Sequence, residues 1–202
     1  MNKASSSAPH DIAPAMVLLL AVASGLIVAN LYYAQTLVGP ISASTGLSAK
    51  AAGLIVTLTQ VGYTLGLLFV VPLGDLLENR RLIITALLVT ATALMVAAMS
   101  TGAIVFLAAA LAIGLGSVAA QVIVPFAAHL SQEATRGQTV GKVVSGLLLG
   151  IMLARPVASL VAAHASWHVV FGGAAVLMLA LAAVLRRALP VRQPVSNMKY
   201  PA

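Results

Sequence analysis

From Leu82 to Ala128 the chain carries no Asp, Glu, Lys or Arg, only a Ser-Thr-Gly interruption at 100–102 between two apolar runs. A helix crosses the hydrocarbon of a bilayer with roughly 20 apolar residues, so this stretch holds two crossings back to back. A soluble domain would need about a quarter of its residues charged. Here 7% are charged and 61% hydrophobic, with a mean hydropathy of +1.07. Lipid is therefore the principal solvent. Backbone groups in hydrocarbon must bond internally, which leaves helices or a closed barrel. The long Leu, Ala and Val runs lack the alternation of barrel strands, so the expected class is an all-α integral membrane protein.

Apolar runs and their breakers mark six transmembrane helices in the 202 residues. Span 1 is expected from about Pro14 to Val38, closed by Gly39-Pro40, and span 2 from about Ala49 to Leu73. Span 3 runs from Leu82 to Met99 and span 4 from Ala103 to Ala128. The polar segment HLSQEATRGQT (129–139) precedes span 5, about Val140 to Ala163. HASWH (164–168) turns into span 6, about Val169 to Leu185, stopped by Arg186-Arg187. The first apolar run is too long for a signal-peptide core and is read as a retained helix. The division is a tail at 1–13, a bundle at 14–187 and a second tail at 188–202.

Lys3, Arg80, Arg81, Arg136, Lys142, Arg186, Arg187, Arg192 and Lys199 all fall on the side of the termini, whereas Lys50 alone lies in the opposite loops. The positive-inside rule then makes both termini cytoplasmic in a bacterial inner membrane. The same asymmetry accounts for the net charge of +7 without a nucleic-acid partner. The absence of cysteine removes disulfides, thiol catalysis and Cys-based metal sites, and nothing calls for a metal or cofactor. An intramembrane serine protease would need Gly-x-Ser-Gly and a histidine on another helix. Here Gly116-Ser117 is followed by Val118, and span 6 has no histidine, so no enzyme is expected.

Polar residues are unevenly shared among the spans. Span 6 has no polar side chain and span 3 only threonines, which can bond their own backbone. Span 4 spaces Gly114, Ser117, Gln121 and Pro125 as one stripe, and span 2 does so with Gly53, Thr57, Gln60 and Thr64. Span 5 sets Ser145, Met152, Arg155 and Ser159 opposite Gly146 and Gly150, while span 1 carries Asn30, Tyr32, Tyr33, Gln35 and Thr36 in its outer half. Such groups often serve as interhelical glue. Their concentration on four helices places spans 1, 2, 4 and 5 around a solute pathway, with 3 and 6 outside. Asn30, Tyr33, Gln60, Thr64, Ser117, Gln121 and Arg155 are its candidate lining. Two readings of Arg155 stand. It snorkels to the outer interface, or it acts within the membrane, its counter-charge absent, brought by a substrate or carried on another polypeptide.

Gly62, Gly66 and Pro72 of span 2 are echoed by Gly146, Gly150 and Pro156 of span 5, both as Gly-x3-Gly-x5-Pro. Glycines four apart let helices approach closely. Spans 2 and 5 are equivalent if the chain is two three-helix units of opposite orientation, the inverted repeat of many transporters.

The segment VPLGDLLENRR (71–81) resembles the cytoplasmic loop motif of the major facilitator superfamily, whose usual form is Gly-x-Leu-Ala-Asp-Arg-x-Gly-Arg-Arg. Leu73, Asp75 and Arg80 match it, and Arg81 extends it. Val71, Leu76, Glu78 and Asn79 depart from it. ANLYYAQTLVGPIS (29–42) and GLLLGIMLARPVASL (146–160) are similar to a branch known for efflux of drug- and sugar-type solutes. The proton-coupling Asp common in span 1 is missing, and span 4 has Ala-Ile-Gly-Leu-Gly where relatives carry Arg followed by Gln-Gly. The resemblance implies the N-terminal six-helix half of a twelve-helix carrier, a 3+3 inverted repeat. It also implies a conformational latch at Asp75, Arg80 and Arg81 that engages the opposite half. The expected partners are the lipid bilayer, a small-molecule substrate and a second six-helix half, from a homodimer or a missing C-terminal half. The expected function is solute transport, as efflux, by one half of a carrier. A truncated, non-transporting remnant is the other reading.

Overall fold

The computed structural model describes residues 12–190, except for the side chain of Asp75. The expected tails, with Lys3, Arg192 and Lys199, therefore lie almost wholly outside the described residues. Among the described residues nine helical segments build the bundle: α1 Pro14–Ala29, α2 Tyr33–Thr45, α3 Leu54–Phe69, α4 Leu73–Leu76, α5 Asn79–Met99, α6 Ala103–Ser117, α7 Ala119–Leu130, α8 Arg136–His164 and α9 Trp167–Ala188. Among the described residues, five helices are long and apolar enough to cross a membrane: Pro14–Thr45, Asn79–Met99, Ala103–Leu130, Arg136–His164 and Trp167–Ala188. The sixth apolar helix, Leu54–Phe69, is shorter. Turns on either side lengthen it, through Ala51 N–H to Ser48 O at 2.9 Å and Leu73 N–H to Val70 O at 3.1 Å.

Span 1 does not end at Gly39-Pro40. Pro40 lies inside α2, and the helix closes at Gly46, whose φ of 73° is left-handed. There Gly46 and Leu47 both donate to the Ser42 carbonyl, satisfying a helix end that Gly can close at no steric cost. The real irregularity comes earlier. Residues 30–32 tighten into i→i−3 bonds, Leu31 N–H to Val28 O at 3.1 Å and Tyr32 N–H to Ala29 O at 3.0 Å. Span 4 is likewise interrupted at Val118, between α6 and α7. Spans 3, 5 and 6 all extend past the expected ends, so the loop at 129–139 is shorter than the sequence suggests and Arg136–Thr139 are helical. Hydropathy marks the part of a helix that meets lipid, whereas backbone bonding continues into the interface.

The close contacts run α1 to α8, α3 to α6, and α5 to both α6 and α9. Lipid tails are as apolar as leucine, so membrane helices gain from intimate backbone packing. A Cβ on Gly62 would strike the Leu111 carbonyl and one on Gly114 the Thr59 carbonyl, both at the α3–α6 crossing. At the α1–α8 crossing, Gly146 faces the Ala21 carbonyl and Gly150 the Gly25 carbonyl. The two Gly-x3-Gly pairs thus do the same work, each seating the second span of a triplet on the first span of the other. The prolines differ. Pro72 lies in the turn before α4, whereas Pro156 is carried within the continuous α8. At the end where α5 turns into α6 and α8 into α9, Phe106, Trp167 and Phe171 form an edge-to-face cluster, the first two with centroids 5.6 Å apart.

Candidate functional site

Burial separates one wall from the rest. Only 11% of the apolar stretch of α8 is buried, against 44% in α5 and in α9 and 61% in the α1–α2 span. α8 rests on α1 through its glycine face and leaves Met152, Arg155 and Ser159 exposed. On α3 a shallow groove is lined by Thr57, Gln60 and Thr64 with Val56, Val61 and Leu65. The two stripes read from spans 2 and 5 therefore remain uncovered. α2 packs against both helices.

Arg155 has found partners inside the chain. Its Nε and one Nη donate to the Gln35 Oε1 at 3.0 and 2.6 Å, and the guanidinium lies 5.5 Å from the centre of the Tyr32 ring. The acceptor is a neutral amide and the stacking partner a phenol, so the positive charge is oriented without being neutralised. Tyr63 on α3 accepts a hydrogen bond at its hydroxyl from Gln121 Nε2 of α7 at 2.8 Å. Arg155 with Gln35 and Tyr32 joins spans 5 and 1, and Tyr63 with Gln121 joins spans 2 and 4, two polar groupings that together make a belt of side chains from four spans.

The other candidates lie apart. Asn30 is 1% exposed, donates from Nδ2 to the Ile27 carbonyl at 3.0 Å and meets the Met178 sulfur at 3.3 Å. Its Oδ1 is buried without a partner among the described residues. Tyr33 and Ser117 are also buried, and the Ser117 hydroxyl donates to the Ile113 carbonyl at 2.7 Å. These three face the interior of the bundle. Thr64 is exposed but returns its hydroxyl to the Gln60 carbonyl at 2.9 Å. Sequence reading named Gln121 and Arg155 but missed Tyr63, and left Tyr32 and Gln35 off its lining. The available signal was spacing, since Tyr63 stands three residues after Gln60 and shares its helix face.

At the membrane end that carries Arg80, Arg81 and Arg186, Arg81 Nε pairs with Glu78 at 2.7 Å. Arg80 and Arg81 lie in the first turn of α5. Asp75 lies on α4, and its side chain is outside the described residues, as is any latch contact it makes.

The sequence profile of the Major Facilitator Superfamily matches residues 17–201. The uncharacterized transporter YgaY of Escherichia coli O157:H7 is 45% identical over 192 residues, 95% of this chain and 49% of that protein. A protein of Streptomyces coelicolor named as a transporter, SCO4007, is 34% identical over 175 residues, 87% of this chain and 41% of its own length. The chain thus spans about half the length of the curated relatives it matches. The inward open xylose transporter XylE of Escherichia coli superposes with a TM-score of 0.68 at 14% identity, over 88% of this chain and 48% of that one.

Proposed function

This chain belongs to the major facilitator superfamily, and from that premise we propose that it forms one six-helix half of a secondary carrier that moves a small solute outward across a bacterial inner membrane. The observation that carries this reading is the pair of polar groupings at Arg155 and Tyr63, which takes side chains from four different spans, two of them the sparsely buried helices α3 and α8. Alternating access works by rocking two bundles about a site near the midplane. One bundle supplies a single wall, so the uncovered faces of α3 and α8 would meet a second six-helix unit. Both termini lie in the cytoplasm, and Asp75, Arg80 and Arg81 hold the opposite unit at that face when the carrier opens outward.

The preoriented guanidinium of Arg155 favours a solute with an anionic group, for which Gln35 and Tyr32 supply neutral hydrogen-bonding neighbours. The test is uptake into everted vesicles, or export from cells, by the carrier with both halves present. Arg155→Ala is expected to abolish transport of an anionic solute, and Arg155→Lys to retain part of it, because lysine keeps the charge and loses the planar fork. Unchanged transport in both variants would remove the charge role.

A further inference from the structure

The membrane end of α5 and α9 carries a second polar feature, separate from the belt. Glu78, Arg80, Arg81, Ile84 and Thr85 of the α5 end line a pocket with Arg186 of α9. Three arginines against one carboxylate leave it net positive. Glu78 occupies the Nε of Arg81, and among the described residues the remaining guanidinium donors have no partner. The pocket also sits at the N-terminus of a helix of 21 residues, whose N-cap residue Glu78 makes no side-chain capping hydrogen bond, where the backbone favours an anion.

Thr85 joins this pocket to an apolar groove between α5 and α6, lined by Leu88, Val89 and Val96 on one side and Ile104, Val105 and Ala108 on the other. Arg81, Thr85, Leu88 and Thr92 fall at helical spacing on the exposed face of α5. Four residues at 1.5 Å put Thr85 about 6 Å along the helix from Arg81. Thr90 and Thr92 of the same helix return their hydroxyls to the Ala86 and Leu88 carbonyls, each at 2.9 Å. Among the described residues the Thr85 hydroxyl makes no such bond, so at the junction a donor stands free toward the lipid.

We propose that this pocket and groove together hold one phosphoglycerolipid with a net negative headgroup. Its phosphate lies among Arg81, Arg186 and Thr85, and one acyl chain runs along the α5–α6 groove. Charge chooses the occupant, since basic pockets between helices at this face suit anionic headgroups and an apolar groove open to the bilayer suits a tail. The inference rests on the chain crossing a bilayer and not on what it carries, and its test does not read transport.

The purified full chain in detergent is mixed with equal amounts of phosphatidylglycerol and phosphatidylcholine and weighed by native mass spectrometry. The unaltered chain should retain phosphatidylglycerol roughly tenfold better. The R81Q/R186Q variant should lose that preference and R81K/R186K should keep most of it. R136Q/R187Q removes two cations from the same membrane end outside the pocket and should behave as the unaltered chain. Ala108→Trp, which fills the groove, should lower retention of both lipids. Equal retention of the two lipids by the unaltered chain would overturn the proposal. So would equal losses in R81Q/R186Q and R136Q/R187Q, or displacement of the lipid by an equal concentration of glycerol phosphate lacking acyl chains.

Discussion

A guanidinium in a membrane span is costly unless it snorkels or finds partners, and Arg155 has done the latter. Its two bonds to Gln35 and its stacking on Tyr32 hold the fork in one orientation. Gln35→Leu removes the acceptor and leaves the cation loose. Transport is expected to fall about tenfold through a weaker solute affinity, a shift in KM read from concentration-dependent export. Gln121→Leu separates a packing role from a solute role. Hydrogen bonds between membrane helices average about 0.6 kcal/mol, so thermal unfolding in detergent should barely move. A large loss of export with an unchanged melting curve would place Gln121 on the solute's path.

Helices in this bundle are seated by what glycine leaves out. Gly114 lies under the Thr59 carbonyl and Gly150 under that of Gly25, so backbone, not a flexible side chain, occupies the space a Cβ would need. Gly114→Ala and Gly150→Ala should each destabilise by about 1–3 kcal/mol, as overpacking does elsewhere, measured as a lower midpoint in denaturing detergent. Gly39 and Gly173 have nothing within 4 Å of the position a Cβ would take. Gly39→Ala and Gly173→Ala should therefore hold stability or raise it by up to about 1 kcal/mol through helix propensity. The Gly-x3-Gly echo was legible in sequence because spacing alone puts two glycines on one helix face. The partner carbonyls were not, since they belong to spans that the sequence does not pair.

At the scale of the molecule, a bundle in lipid exposes apolar faces everywhere, and the informative surface is the one that is polar and uncovered. Leu88, Met95 and Val176 on α5 and α9 are exposed apolar side chains suited to lipid tails. Thr57, Gln60 and Thr64 on α3 and Met152 and Ser159 on α8 would instead meet water, solute or a second six-helix unit. The chain has no cysteine, so single cysteines can be read cleanly. Cysteines at Thr64 and Met152 should react with a membrane-impermeant thiol reagent, and cysteines at Val89 and Val176 should not. Equal reactivity across all four positions would deny the aqueous face. A paired Thr64→Cys and Met152→Cys chain should also cross-link to whichever unit covers that face, giving a band of higher mass.

The order of apolar runs and the scarcity of charge dictate an all-helical membrane bundle, because lipid admits few ways to satisfy a backbone, and the family is legible only from the resemblance of the loop motif at 71–81 and of segments 29–42 and 146–160. The same patterns could not sort one polar residue from another. Asn30, Tyr33 and Ser117 look as suitable for a pathway as Gln121, yet they face into the bundle, and Tyr63 completes the belt from outside the expected list. Helix periodicity gives a residue's angle about its own axis and nothing about which neighbour lies there. That neighbour is set by backbone contacts at Gly62, Gly114, Gly146 and Gly150, between segments far apart in the chain. Side-chain pairing across spans, Arg155 with Gln35 and Gln121 with Tyr63, exists only once those crossings have formed.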